Sequence, residues 1–265
     1  MKKIIRYLLI LFLVAVIVYC ALNIFNIEND YKKASSEYDN LSSLYTTEKD
    51  TNSETNISEI PGNTEINTED KSSQENDLPN YKKIDFNSLV SINSDIIGWI
   101  IIPGTIVDYP IVYSHDNNEY LKLTFQKEYS SSGSIFMDTR NKTDFSDYNS
   151  IIYGHNMKNG SMFRVLRNYM DENFYKEHRY IQIYTPNKNY TYKIISCYET
   201  IKTSEAYTIN FNNQDEYSNW LETISKNSQY YTNEYNNDKS TITLSTCAGG
   251  HGGDERFVVH LQLVN

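Results

Sequence analysis

At 265 residues, with 34 acidic against 24 basic side chains and a formal charge of −10, the chain lacks the basic balance that a nucleic-acid-binding surface wants. Its length allows one or two domains, but an apolar first line and an acidic second one leave 182 residues for a packed core, enough for one domain.

Residues 4–25 form an apolar run interrupted by Arg6, Tyr7 and Asn23. Roughly 20 such residues span a bilayer as a helix. Lys2, Lys3 and Arg6 come before or at the start of the run and the next basic residue is Lys32, so the positive-inside rule predicts a cytoplasmic N-terminus and an outward-facing remainder. A cleaved signal peptide would show a shorter apolar core and a small-x-small site, which "VYCALNIF" does not offer. Cys20, preceded by Tyr19, reads as an apolar residue in lipid rather than a lipidation site.

Residues 26–83 carry thirteen acids and six bases among many Asn, Ser and Thr. Such composition buries too little apolar surface to offset its ordering entropy. The expectation is a solvated extracytoplasmic tether, with helix near residues 31–45. Residues 84–265 then form the folded domain. Cys197 and Cys247 are the only thiols outside the apolar run, and an oxidising compartment would permit one disulfide between them.

Within the domain, residues 84–93 show helical spacing at Ile84, Leu89 and Ile92. Residues 96–102 and 106–112, joined by Pro103-Gly104, read as a β-hairpin. "SSGSIFMDTR" and "NSIIYGHN" give two further strands. "SMFRVLRNYM" predicts a helix capped by Ser161, with Phe163, Leu166 and Met170 on one face. Strands follow at "RYIQIYTP" and "YTYKIISCYET". Tyr217, Trp220, Leu221 and Ile224 then mark an inserted helix beginning near Asp215. "STITLSTC" and "RFVVHLQLV" close the chain. Short strands at this frequency predict a mostly β fold, a mixed and largely antiparallel barrel or sandwich.

Strand alternation sets Cys247 with Thr243 and Ser245 on one face, opposite Ile242 and Leu244, and sets Arg256 with Val258 and His260 opposite Phe257, Val259 and Leu261. If the apolar faces form the core, Cys247 and Arg256 share the outer face across an eight-residue loop. A guanidinium beside a thiol stabilises a thiolate or a developing oxyanion; alternatively it balances Asp254 and Glu255 on a solvated face.

A thiol also needs a base. His260 lies four residues along the strand from Arg256, roughly 13 Å at about 3.3 Å per residue. His251 stands among four glycines that fix it poorly, and His115 and His178 occupy polar, loop-like contexts. His155, in "SIIYGHNMKNGSMF", is delivered by a buried-looking strand into a short turn, a rigid launch point for catalysis. It also suits a turn histidine with a structural hydrogen bond. Histidine 92 residues before cysteine excludes a papain-like order, and the caspase-type signature is absent.

"YGHNMKNGSMF", then "TLSTC", then Arg256 resembles the sortases, membrane-anchored cysteine transpeptidases of Gram-positive bacteria. "IIGWIIIPGTIVDYPIV", "NEYL", "GSIFMD" and the helix before the last strands are most similar to class B, over roughly residues 89–265. The resemblance implies an eight-stranded sortase-type β-barrel with an N-terminal helical extension. It makes Cys247 the nucleophile, His155 the general acid/base and Arg256 the stabiliser of the oxyanion or of bound substrate backbone. Leu121, Tyr207 and Ser245 correspond to substrate-groove positions. It implies cleavage after Thr in the C-terminal sorting signal of a secreted protein, a thioester on Cys247, and transfer to an amine of a peptidoglycan precursor, with no metal or organic cofactor. One departure is Ala248, where class B sequences often have an acidic residue after the cysteine. The alternatives are another cell-wall cysteine enzyme, an L,D-transpeptidase or endopeptidase, and a non-catalytic tethered adhesion or sensor domain. An L,D-transpeptidase would carry a His-Gly motif closer to a "GC" cysteine, which is absent.

Overall fold

The computed structural model describes residues 2–48, 81–230, 232–247 and 253–264. Residues 49–80, the Cys247 side chain and residues 248–252, Ala248 and His251 included, lie outside the described residues. The chain opens with α1 (Lys2–Tyr45), followed by a small antiparallel hairpin of β1 (Thr46–Glu48) and β2 (Lys82–Ile84), then α2 (Phe86–Ile92). Next come β3 (Ile96–Ile101), β4 (Asp108–Val112), β5 (Ile135–Met137) and β6 (Asn149–Tyr153). A 3-10 run (Phe163–Met170) and α3 (Glu172–Glu177) lead to β7 (Tyr180–Tyr184) and β8 (Asn189–Ile201). α4 (Gln214–Lys226), β9 (Thr241–Cys247) and β10 (Glu255–Leu263) complete the fold.

Eight strands close into a barrel in the order β10-β8-β7-β3-β4-β5-β6-β9. Only β4–β5 and β6–β9 pair in parallel. The mostly β class, the eight-stranded barrel, the N-terminal helix and the helix inserted before the last two strands all match expectation. Apolar side chains from alternate strand positions, among them Ile100, Ile111, Ile152, Ile183, Leu244 and Val259, fill the main core and are fully buried.

A second core lies outside the barrel. α4, capped by Asn213 Oδ1 accepting from Glu216 N at 2.9 Å, presents Tyr217, Trp220, Leu221 and Ile224 to Ile195, Tyr198 and Val258. The face shared by Val258 and His260 is therefore covered by a helix, not solvated along its length as strand alternation suggests. His260, fully buried there, bonds Thr243 and Tyr198.

Three other expectations change. The segment from Ser161 is 3-10, its N-cap is Met162 at φ 55° with no side-chain cap, and Ser161 Oγ instead donates to Asn159 Oδ1 at 2.7 Å. In the helical segment read at 84–93, Leu89 alone of the three apolar positions is buried: Ile84 belongs to β2, and Ile92 is exposed. The helix expected near residues 31–45 is present as the continuation of α1, but it is not solvated all round, because this half of α1 docks on the barrel. Ala34, Tyr38 and Leu41, at i, i+4 and i+7, are buried on one face. Ser42 Oγ donates to Asp108 Oδ2 at 2.8 Å, and the Asp30 carboxylate accepts from the Ser131 N–H at 3.1 Å. The stripe is three residues wide in an acidic context and its partners lie 66 to 101 residues away, so local composition does not reveal it.

Candidate active site

A cleft of about 230 Å³ opens where the ends of β6, β9 and β10 meet the loops before β5 and after β8; its walls include Leu121, Tyr153, His155, Tyr207, Ser245 and Arg256. β9 and β10 pair in a register that sets Arg256 directly opposite Cys247, Val258 opposite Ser245 and His260 opposite Thr243. Directly opposed positions in an antiparallel pair belong to the same face of the sheet, so backbone position 247 lies across the strand pair from Arg256, whose side chain lines this cleft.

His155 is launched from the other side. β6 runs parallel to β9, with Tyr153 against Ser245, and Gly154 N donates to Ser245 O at 3.1 Å. His155 O in turn accepts from Phe163 N at 2.9 Å. The residue is thus held by backbone bonds on both sides. Its ring Nε2 lies 2.7 Å from Leu121 O. A carbonyl only accepts, so Nε2 carries the hydrogen and Nδ1 is the nitrogen left for acid/base work; Nδ1 has no hydrogen-bond partner among the described residues.

Arg256 Nη1 donates to Gly253 O at 2.7 Å and Glu255 O at 2.8 Å. These bonds hold one edge of the guanidinium fork and leave Nε and Nη2 without partners among the described residues. The direct ion pair of Asp254 is with Lys202 at 2.7 Å, and Arg256 acts on that carboxylate only through its charge, after the larger effect of Lys202. That ion pair, with Lys202 N donating to Asp254 O at 2.9 Å, closes the start of β10 onto the end of β8.

The remaining candidates also reach the cleft. Tyr207 OH and Ser245 Oγ lie 2.7 Å apart, and the Tyr207 ring stacks on Tyr153 at 6.4 Å. Leu121 contributes its side to the wall and its carbonyl to His155. The sequence reading missed Tyr153, although it stands two residues before His155. Tyr153 OH donates to Asp138 Oδ2 at 2.7 Å, and Arg140 binds both oxygens of that carboxylate at 2.8 and 2.9 Å. Burial raises the Asp138 pKa, but the Arg140 and Tyr153 hydrogen bonds outweigh it and leave the carboxyl below its usual value. Burial, and then the Asp138 charge, push Tyr153 up, so its phenol stays neutral. Asn117, Phe136, Lys202 and Thr246 line the cleft as well; Phe136 and Thr246 stand inside "GSIFMD" and "TLSTC", whereas Asn117 and Lys202 sit in no quoted motif and only the fold brings them there.

Among the described residues, the other histidines are absent from the cleft lining. His178 is half-buried, its Nδ1 2.9 Å from Pro103 O and its ring 4.3 Å from that of Phe174, so it is a packing residue rather than a surface one. Cys197 is free and buried, with Sγ 3.7 Å from Tyr169 O. It pairs with Val259 on one edge of β10 while Cys247 pairs with Arg256 on the other. Two strand spacings and three residues of offset exceed the roughly 7 Å Cα separation a disulfide can span.

A sortase domain profile matches residues 100–264. Sortase B of Staphylococcus aureus is 34% identical over 175 residues, covering 66% of this chain and 72% of that protein. The chain belongs to the sortase family. Sortase B of Listeria monocytogenes is 40% identical over 162 residues, 60% of this chain and 65% of that protein. The crystal structure of sortase B from Bacillus anthracis superposes with a TM-score of 0.71 at 30% identity, over 90% of this chain and all of that one. The affinity is thus to class B sortases, and the chain is an enzyme of that family, a cysteine transpeptidase whose substrates are proteins bearing sorting signals. α1 is long and apolar enough to cross a membrane, and its apolar stretch is not buried in the barrel.

Proposed function

We propose that Cys247 is the nucleophile, His155 the general acid/base and Arg256 the oxyanion donor of this transpeptidase. The thiolate of Cys247 attacks the Thr carbonyl of a sorting signal, Arg256 stabilises the charge on oxygen, and His155 protonates the departing amine. A thioester remains on Cys247. An amine of a cell-wall precursor then attacks it, and His155 takes up the incoming proton as the thiolate leaves. Leu121, Tyr207 and Ser245 bind the substrate. The observation that carries this reading is the β9–β10 register, which sets Arg256 opposite Cys247 at the mouth of the cleft that His155 lines.

The proposal extends to topology: residues 1–25 as a single-pass anchor in the cell membrane of a Gram-positive bacterium, N-terminus inside; residues 84–265 as the extracellular catalytic domain; and residues 26–83 as the intervening segment. The test is cleavage by the full chain of fluorogenic Asn-Pro-x-Thr and Pro-Pro-x-Thr peptides. Cys247→Ala is expected to lower the rate by about 10³-fold or more, and Arg256→Ala by about 10²- to 10³-fold. His155→Ala is inactive while His251→Ala is silent. Cleavage that survives Cys247→Ala sinks the mechanism, and inert Cys247 with no peptide cleaved favours an adhesion or sensor domain.

A further inference from the structure

We propose that Tyr38, on the docked half of α1, is a positioning residue for the reaction, setting the orientation of His155 through the loop between β4 and β5. The inference rests on the reading of His155 as the acid/base.

Every link in this connection is a hydrogen bond or a close backbone approach. Tyr38 OH donates to Gly133 O at 2.7 Å, accepts from Phe125 N at 3.3 Å and lies 3.1 Å from Ser134 Oγ. The phenol is buried, and burial raises its pKa so that it remains a neutral donor. Gly133 sits at φ +56°, and a Cβ there would stand 2.5 Å from Tyr120 O and 2.8 Å from Leu121 O. Ser134 N donates to Tyr120 O at 2.9 Å. The backbone that Tyr38 grips therefore lies directly under the Tyr120 and Leu121 carbonyls, and the Leu121 carbonyl holds His155 Nε2–H at 2.7 Å. Glu37 and Asp30 hold the same loop, accepting from Gln126 N at 2.9 Å and Ser131 N at 3.1 Å.

The chemical consequence is specific. The Leu121 carbonyl keeps hydrogen on Nε2 and leaves Nδ1 for proton transfer; if the carbonyl retreats, the ring is free to rotate or to exchange tautomers. Of the proposed substrate contacts, those of Tyr207 and Ser245 come from other elements and are untouched, and Leu121 alone stands on the loop itself. Tyr38 thus acts on the proton-transfer step more than on substrate binding.

The test uses the full chain in lipid nanodiscs. Tyr38→Phe removes one oxygen and keeps the ring that packs edge-on against Tyr109 at 5.3 Å. It is expected to lower kcat about three- to tenfold, the size of one lost hydrogen bond, with KM within about twofold and a shifted His-dependent limb in the pH profile. Gly133→Ala is expected to do the same more strongly, and Ser36→Ala, on the exposed side of α1, to do nothing. Nitrogen NMR of ring-labelled histidine reads the link independently of turnover: His155 is expected to be Nε2–H in the parent and to gain the other tautomer in Tyr38→Phe. An unchanged His155 signal with unchanged kcat overturns the inference. A changed signal with full activity also overturns it as a catalytic role, and then His155→Ala shows whether the acid/base assignment itself has failed.

Discussion

Cys197 is a thiol held inside the barrel. Burial pushes Cys197 up to about 12, so almost none of it is thiolate near neutrality. A charged thiol reagent applied to the native chain is expected to modify one cysteine outside α1, with Cys247→Ala removing the label and Cys197→Ala retaining it; label that persists in Cys247→Ala refutes this. His260 gives a pH-dependent counterpart. Thr243 Oγ1 donates to Asn149 Oδ1, so it accepts from His260 Nδ1–H, and Nε2 is left to accept from Tyr198 OH. Burial lowers the imidazole to about 3, against about 6.5 in an unfolded chain. The native ring is neutral while the unfolded one takes up a proton below about 6.5, so stability falls as pH drops through that window, by up to about 1.4 kcal/mol per unit. Urea titrations at pH 7.5 and 5.5 are expected to show about 1 kcal/mol more acid loss in the parent than in His260→Gln, above the range where carboxylates titrate. Equal losses would assign the acid sensitivity elsewhere.

At the scale of elements, β6 matters most through the residue that follows it. A Cβ on Gly154 would meet Ile135 at 2.5 Å and Phe163 at 2.7 Å, both buried. Gly154→Ala is therefore expected to cost about 1 to 3 kcal/mol through overpacking and to move His155, cutting kcat by about tenfold or more; calorimetry and peptide cleavage measure the two effects separately, and an unchanged kcat would show that His155 tolerates the shift. The sequence made this launch point legible because strand, glycine and histidine are contiguous. The Cys247–Arg256 pairing was legible for a similar reason: two alternating runs separated by eight residues have few registers that bury both apolar faces. The 3-10 run after Ser161 was not, since a helical face at i, i+3 and i+7 does not distinguish α from 3-10 over eight residues. Nor was the cover of α4 over His260, because alternation says which residues share a face and not what is laid against it.

For the molecule as a whole, α1 and the hairpin at its end redraw the organisation. Thr46, Thr47 and Glu48 pair with Ile84, Lys83 and Lys82, so the intervening segment leaves and returns at one point beside the barrel instead of joining the barrel to α1. Asp85 N donates to Tyr45 O at 3.0 Å, fixing the same junction. Replacing residues 49–80 with a four-residue turn is expected to leave the melting temperature within a few degrees and peptide cleavage unchanged; loss of folding would show that the segment contributes to the core. Composition pointed to a spacer there, and it erred for residues 30–48 because a docked helix needs only one buried stripe.

With the apolar stretch of α1 as the proposed membrane anchor, the unbroken passage of that helix to its contacts with the barrel would give the domain a bearing as well as an altitude. A helix advances about 1.5 Å and turns about 100° per residue. Seven alanines inserted between residues 26 and 29 would raise the barrel by about 10 Å and return it close to its original heading, whereas two would lift it only about 3 Å but swing the cleft through about 200°. Surface display of a sorting-signal reporter on cells is expected to oscillate with insert length, while cleavage of a soluble peptide by the same variants stays flat. A smooth decline with length would mean that the domain swivels freely about its anchor.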